Sequence, residues 1–307
     1  MTALRSVTRV RVMPRGGRYE LRLVLGRRRM RALAGGDDAI VASFSEDDDG
    51  QVAIEILAAG AAPPEAVDRA IEQAIGIAGL DDDPGDFPRL ARAHPTLARL
   101  HRRYEGARLG RTATVFESFA ASVIEQLVTF DEARAARNRM VQRYGARVPG
   151  STLIAFPTAE AVAKIPAYDL RALGVGLRRA TTLLQGAARG RRLEALRARA
   201  PDDAMAALQS LRGVGPWTAN KVAIEALGHA DGVLVGDAGA PFVVTMALTG
   251  LAGGDDEMLA CLEPYRPHRA RVLELFHLAF VFEHAVPGVP RRAPPTIDPH
   301  RRRPWEG

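Results

Sequence analysis

The hydrophobic period of this chain changes at residues 81–88, Asp-Asp-Asp-Pro-Gly-Asp-Phe-Pro, and that change constrains the fold more than any other feature. Before it, segments 7–13 (VTRVRVM), 19–25 (YELRLVL), 39–45 (AIVASFS) and 51–57 (QVAIEIL) alternate or carry β-branched residues. The turn signals Pro14-Arg15-Gly16-Gly17, Gly35-Gly36-Asp37-Asp38 and Asp47-Asp48-Asp49-Gly50 separate them. Short runs of period two bounded by such turns predict a small antiparallel sheet. Pro63-Pro64 then opens segment 64–80, where Val67, Ala70, Ile71, Ala74 and Ile75 recur at helical spacing.

Beyond the boundary the period is helical almost throughout. Helices are expected near 86–101, 114–126, 130–144, 158–164, 169–173, 176–189, 193–197, 203–211, 217–227, 237–248, 255–262 and 267–283, with N-caps such as Thr158 and Asp203. The fold class is therefore α+β. A sheet-plus-helix domain (1–84) precedes an all-helical core (85–286). A basic, proline-rich tail (287–307) holds six prolines and two arginine clusters and is expected to be extended.

Several function classes are excluded by composition. The one cysteine, Cys261, permits no intrachain disulfide and no multi-cysteine zinc or iron–sulfur site. It lies in an apolar stretch and reads as a buried structural thiol. The histidines show no metal-ligand spacing with acids. No window approaches the roughly 18 uninterrupted apolar residues of a membrane span. The arginine-interleaved start lacks a signal-peptide core, so a cytoplasmic location is expected. Lys+Arg is 42 against 36 Asp+Glu, a net charge of +6, and only Lys164 and Lys221 are lysines. The planar arginine fork suits phosphate. A GC-rich genome would also produce such a bias, so charge permits a nucleic-acid partner without requiring one.

The functional signal centres on Leu211-Arg-Gly-Val-Gly-Pro-Trp-Thr-Ala-Asn220, where one helix ends and another starts. Gly213 and Gly215 around Val214 allow positive φ and leave amides uncovered. Amides beside a helix N-terminus can hold a phosphate oxygen without reading sequence. A tight helix–helix connection would use the same residues.

This segment strongly resembles the hairpin of the helix-hairpin-helix DNA glycosylases, most closely the bacterial 3-methyladenine DNA glycosylase II type. In that family a Gly-x-Gly-x-Trp-Thr-Ala core precedes an essential aspartate. Here Trp217 is followed by Asp237 in Leu234-Val-Gly-Asp-Ala-Gly239, and the twenty-residue spacing fits. Phe116-Glu117 with residues 124–129 (Ile-Glu-Gln-Leu-Val-Thr) resembles the segment that enters DNA. His94-Pro-Thr-Leu97, Phe156-Pro-Thr158, Leu173-Gly-Val-Gly176 and residues 263–269 follow in the family's order.

The resemblance implies a two-lobed helical core and a monofunctional glycosylase that excises alkylated purines from double-stranded DNA. Asp237 would be catalytic, although an aspartate there also suits a helix cap. Trp217, Tyr265 and Phe116 would form the base pocket. Leu127 would be the wedge, or else a core leucine. Gln126, Gly213, Val214, Gly215, Thr218 and Lys221 would bind DNA, although Lys221 also suits a solvated face. The expected partner is double-stranded DNA with damaged bases, bound by a monomer associated with the nucleoid. No cofactor is expected; a monovalent cation at the hairpin backbone fits the family.

The covalent branch places a lysine nucleophile where this chain has Trp217. Departures from the family pattern are Glu125, an acid at a position facing DNA; the run Gly236-Asp-Ala-Gly-Ala-Pro241; and Tyr265 in place of a frequent tryptophan. They leave room for a deaminated or oxidised base as substrate, or for an inactive lesion-binding homologue.

Overall fold

The computed structural model describes residues 4–27, 29–33, 40–47 and 49–290. The tail from 291 onward and the expected turn Gly35-Gly36-Asp37-Asp38 lie outside them. Strands β1 (Arg5–Val12), β2 (Met30–Ala32), β3 (Ile40–Glu46) and β4 (Val52–Ala58) form one antiparallel sheet in the order β1-β4-β3-β2. The β3–β4 register runs from Ile40 opposite Ala58 to Glu46 opposite Val52. It puts Ile40, Ala42 and Phe44 beside Val52, Ile54 and Ile56 in one core. Helix α2 (Pro64–Ile77) covers that core with Ala66, Ala70 and Ala74, small residues four apart on one face. Val67, Ile71 and Ile75 flank them half-buried.

Residues 19–25, expected to be a strand, instead contain helix α1 (Leu21–Leu25). Leu21 joins the sheet core and Leu23 joins a separate helical core. The alternation thus records one short helix touching two cores. The Leu21 N–H donates to Glu46 at 2.7 Å, the chain turns at Gly26 with φ of 60°, and β2 takes the place beside β3.

The remaining helices are α3 (Phe87–Ala91), α4 (Pro95–Arg103), α5 (Val115–Glu125), α6 (Phe130–Tyr144), α7 (Ala159–Ala163), α8 (Ala167–Ala172), α9 (Leu177–Ala187) and α10 (Gly190–Glu194). After them come α11 (Pro201–Gln209), α12 (Pro216–Leu227), α13 (Ala240–Thr249), α14 (Asp255–Leu262) and α15 (Arg269–Glu283). A short ladder of β5 (Ala146–Arg147) and β6 (Ile154–Ala155) interrupts the helical run; two residues per strand carry no readable period. One helical core is built between Val115 and Ala226. The other joins residues 87–104 to residues 233–286, so the chain leaves this lobe after α4 and returns to it before α13.

The boundary at 81–88 is a buried anchor as well as a turn. Arg271 of α15 holds both Asp82 carboxylate oxygens at 2.7 Å, and the Leu109 N–H adds a bond at 2.9 Å. Arg108 donates to the backbone carbonyls of Arg15, Gly16 and Arg18. Two guanidiniums buried to within 5% therefore pin the sheet unit to the helices.

Candidate active site

The hairpin between α11 and α12 is fixed by the residue types at its three central positions. Gly213 has φ of 86°, and a Cβ there would lie 2.2 Å from Oγ1 of Thr182 on α9. Only glycine fits both the backbone angle and the contact. Val214 is buried and plugs the hairpin into the first helical core. Gly215 is the N-cap of α12, with Pro216 at its first position, where no amide is needed. The N–H groups of Gly213 and Gly215 have no hydrogen-bond partner among the described residues.

From α12 the chain returns through a loop fastened at several points. Arg269 and Arg266 hold the Asp231 carboxylate at 2.7–2.8 Å. The Val233 N–H donates to Asn220 at 3.1 Å, and the Gly236 N–H to Asp255 at 2.8 Å. This loop delivers Asp237 to Trp217. The Trp217 indole N–H donates to Asp237 Oδ2 at 2.8 Å. Oδ1 of Asp237 accepts from the N–H groups of Gly239 and Ala240 at 2.8 and 2.9 Å, at the start of α13. The helix starts at Ala240 with Gly239 as its N-cap, so Asp237 lies two residues before the cap rather than at it and reaches the first amides of α13 from there. Three donors orient a half-buried carboxylate beside the hairpin.

The segment after α5 is tied to the same hairpin. Gln126 Nε2 donates to the Gly213 carbonyl at 3.0 Å and to Thr218 Oγ1 at 2.8 Å. Thr218 is 2% exposed, so its hydroxyl serves Gln126 rather than the surface. Leu127 follows with φ of 52°, half-buried and outside all three cores. The Lys221 ammonium lies 3.2 Å from Glu125, pairs with Glu225 one turn along α12, and sits 5.8 Å from the centre of the Trp217 ring. Burial opposes its charge, but Glu225 and Glu125 outweigh burial and raise its pKa.

Two expected pocket residues are buried in the helical cores. Phe116, 4% exposed, is packed in the first helical core and lines a cavity of about 450 Å³ with Leu33, Ile40, Ala70 and Phe156, on the side of the sheet unit. Tyr265, 7% exposed, is sunk in the second helical core near Cys261, where burial raises its hydroxyl pKa. The hydrogen bonds of Asp237 include neither ring.

Sequence reasoning missed Glu225, Glu125 and Arg179 as partners of the site. The Lys221–Glu225 spacing of four was a readable signal. The approach of Glu125 and the bond from Arg179 to the Ile124 carbonyl are long-range and had none. A hairpin cation would share the turn's carbonyl oxygens with hydrogen bonds already made there. The Leu211 carbonyl already accepts from Val214 and the Gly213 carbonyl from Gln126. Among the described residues no cluster of His, Cys, Asp or Glu could hold a metal ion. No helix among them is long and apolar enough to cross a membrane.

The α+β fold, a small antiparallel sheet before a two-lobed helical body, is that of solved helix-hairpin-helix DNA glycosylases. The chain resembles bacterial 3-methyladenine DNA glycosylase II. It is similar to DNA-3-methyladenine glycosylase 2 of Escherichia coli, 34% identical over 131 residues, 42% of this chain and 46% of that protein. The chain spans about half the length of the curated relatives it matches. No protein-family model matches it. The solved 3-methyladenine DNA glycosylase of Archaeoglobus fulgidus superposes with a TM-score of 0.76 at 22% identity, over 89% of this chain and 99% of that one. An 8-oxoguanine glycosylase/lyase of Clostridium acetobutylicum gives 0.66 at 16% identity, over 90% and 98%.

Proposed function

We propose that this chain is a monofunctional DNA glycosylase acting in base excision repair, removing alkylated purines of the 3-methyladenine type from double-stranded DNA. The observation that carries the reading is the Trp217–Asp237 pair beside a hairpin with two uncommitted amides. Those amides would hold a backbone phosphate without selecting sequence. Leu127 would enter the stack and fill the gap left when the damaged nucleotide swings out.

A cationic base would stack on the Trp217 face, which favours positive charge. Breaking the C1′–N bond returns its electron pair to the base, which leaves neutral. Positive charge then builds on the sugar, and the Asp237 carboxylate stabilises it. Water adds at C1′ and loses a proton, leaving an abasic site. An alkylated base is already a good leaving group, so no strong acid is required.

Lys221 bears on the choice between hydrolysis and covalent catalysis. Held between two carboxylates, its ammonium has no free lone pair for imine formation, which supports hydrolysis without strand cleavage. The curated relatives named for 3-methyladenine favour alkylated bases over oxidised ones. The run Gly236–Pro241 is the best support for an inactive lesion-binding homologue. The test is incubation of the purified chain with duplexes carrying methylated, deaminated or oxidised bases, followed by alkali. Strand breaks at alkylated purines are expected. Release of another lesion alone would change the substrate, and binding without release would leave only the DNA-binding reading.

A further inference from the structure

Leu127, with φ of 52°, occupies the left-handed backbone region that residues with a Cβ rarely adopt. Such a conformation persists only where its surroundings enforce it. Here the enforcement is visible on both sides. Before Leu127, the Ile124 carbonyl accepts from Arg179, Glu125 pairs with Lys221, and Gln126 bonds the hairpin. After it, Thr129 and Glu132 form the capping box that starts α6.

Lys221 is the member that joins the two functional halves. It lies one turn after Trp217 on α12, under the ring whose N–H edge holds Asp237. Its second contact, Glu125, is the last residue of the helix that presents Leu127. Its third, Glu225, would repel Glu125 if the cation were absent. The side chain is 17% exposed, so the ammonium is committed within the protein. The acid at 125, out of place beside DNA, thereby has a partner and a reason.

We propose that Lys221 is a positioning residue that holds the Leu127 segment in register with the Trp217–Asp237 pair through Glu125, coupling insertion at the lesion to the catalytic carboxylate. The proposal rests on reading this site as a base-flipping glycosylase centre. It is distinct from a phosphate contact, the role Lys221 was expected to play. A positioning lysine affects lesion DNA selectively. A phosphate contact affects all DNA equally and contributes about one unit to the salt slope.

The experiment measures binding of the full chain to two duplexes by fluorescence anisotropy across a salt series. One duplex carries a tetrahydrofuran abasic-site analogue and the other is undamaged. The variants are Lys221→Met, Lys221→Arg, Glu125→Gln, Leu127→Ala and the Lys221→Met/Leu127→Ala double. Lys221→Met is expected to lower the preference for the abasic duplex about tenfold, leaving undamaged-duplex affinity and its salt slope unchanged. The double variant should lose no more than the worse single, since both act through one device. Lys221→Arg should restore the preference to within about twofold, because it keeps the cation between the carboxylates.

Glu125→Gln removes only the limb toward α5, so it must reproduce the loss even if Lys221→Met fails to fold. Wild-type selectivity in Glu125→Gln would overturn the proposal. So would losses in Lys221→Met and Leu127→Ala that multiply, or equal weakening on both duplexes with a reduced salt slope. A wild-type chain with no preference for the abasic duplex overturns it as well. A chain that has the preference but releases no base refutes the glycosylase reading and with it the coupling to a catalytic carboxylate, while loss of the preference in Lys221→Met and Glu125→Gln would still show that Lys221 positions the Leu127 segment.

Discussion

Replacing Gly213 with alanine isolates the physical requirement on which the hairpin depends. The backbone there has φ of 86°, which costs a residue with a Cβ about 1–2 kcal/mol. The new Cβ would also meet Thr182 Oγ1 at 2.2 Å, far inside van der Waals contact. Thr182 is 6% exposed, and its hydroxyl bonds the carbonyls of Arg178 and Arg212. Rotating it away gives up the one hydroxyl proton shared between those carbonyls, worth about 1 kcal/mol. The expected cost of Gly213→Ala is therefore about 3 kcal/mol, read from urea unfolding at unchanged m-value. In a Thr182→Ala background the Oγ1 contact is gone, leaving the backbone strain and a tight 3.3 Å approach to the Cβ of residue 182, so the same substitution should cost less, about 2 kcal/mol. Because the hairpin amides move, affinity for damaged and undamaged duplex should fall together. An equal cost in both backgrounds, or one below about 0.5 kcal/mol, would refute the argument.

Two further perturbations test how the helical body is held. Arg271→Met should destabilise the fold by about 2 kcal/mol in denaturant, because it leaves the largely covered Asp82 carboxylate with only the Leu109 N–H as a hydrogen-bond donor. Burial lowers the His101 pKa below the ordinary 6.5, so the folded chain binds fewer protons there than the unfolded chain. Its stabilisation is complete above about pH 6.5 and is lost as pH falls through the lowered folded value. The melting temperature should drop over that range, and His101→Gln should flatten the drop.

The parts of this protein that were legible in its sequence are those set by local chemistry. Pro63-Pro64 at the start of α2, and Thr158 as the cap of α7, announce helix starts from neighbouring residues alone. The α+β division followed from a period change that any core must respect. What escaped was set by tertiary context. The segment 19–25 alternated because Leu21 and Leu23 serve different cores, and alternation alone does not distinguish two cores from two faces of a strand.

The acids at 81–83 read as a turn because their partners lie far along the chain, Arg111 and Arg271 among them. At the site, the Trp217–Asp237 spacing was readable by resemblance. The depth of Phe116 and Tyr265 was not, because family position does not reveal which side chains a core has absorbed. Lys221 looked like a phosphate contact or part of a solvated face because only one of its two carboxylate partners is local.

The account stands most directly on the Asp237 carboxylate, and the measurement is single-turnover base release from a 3-methyladenine-type duplex by wild type and Asp237→Asn. Asparagine keeps the size and can still accept from Gly239 and Ala240, but its amide N–H₂ then opposes the Trp217 N–H and the negative charge is gone. Release should slow by at least about a hundredfold, while affinity for the abasic-analogue duplex stays close to wild type. Release by Asp237→Asn at the wild-type rate would contradict the account.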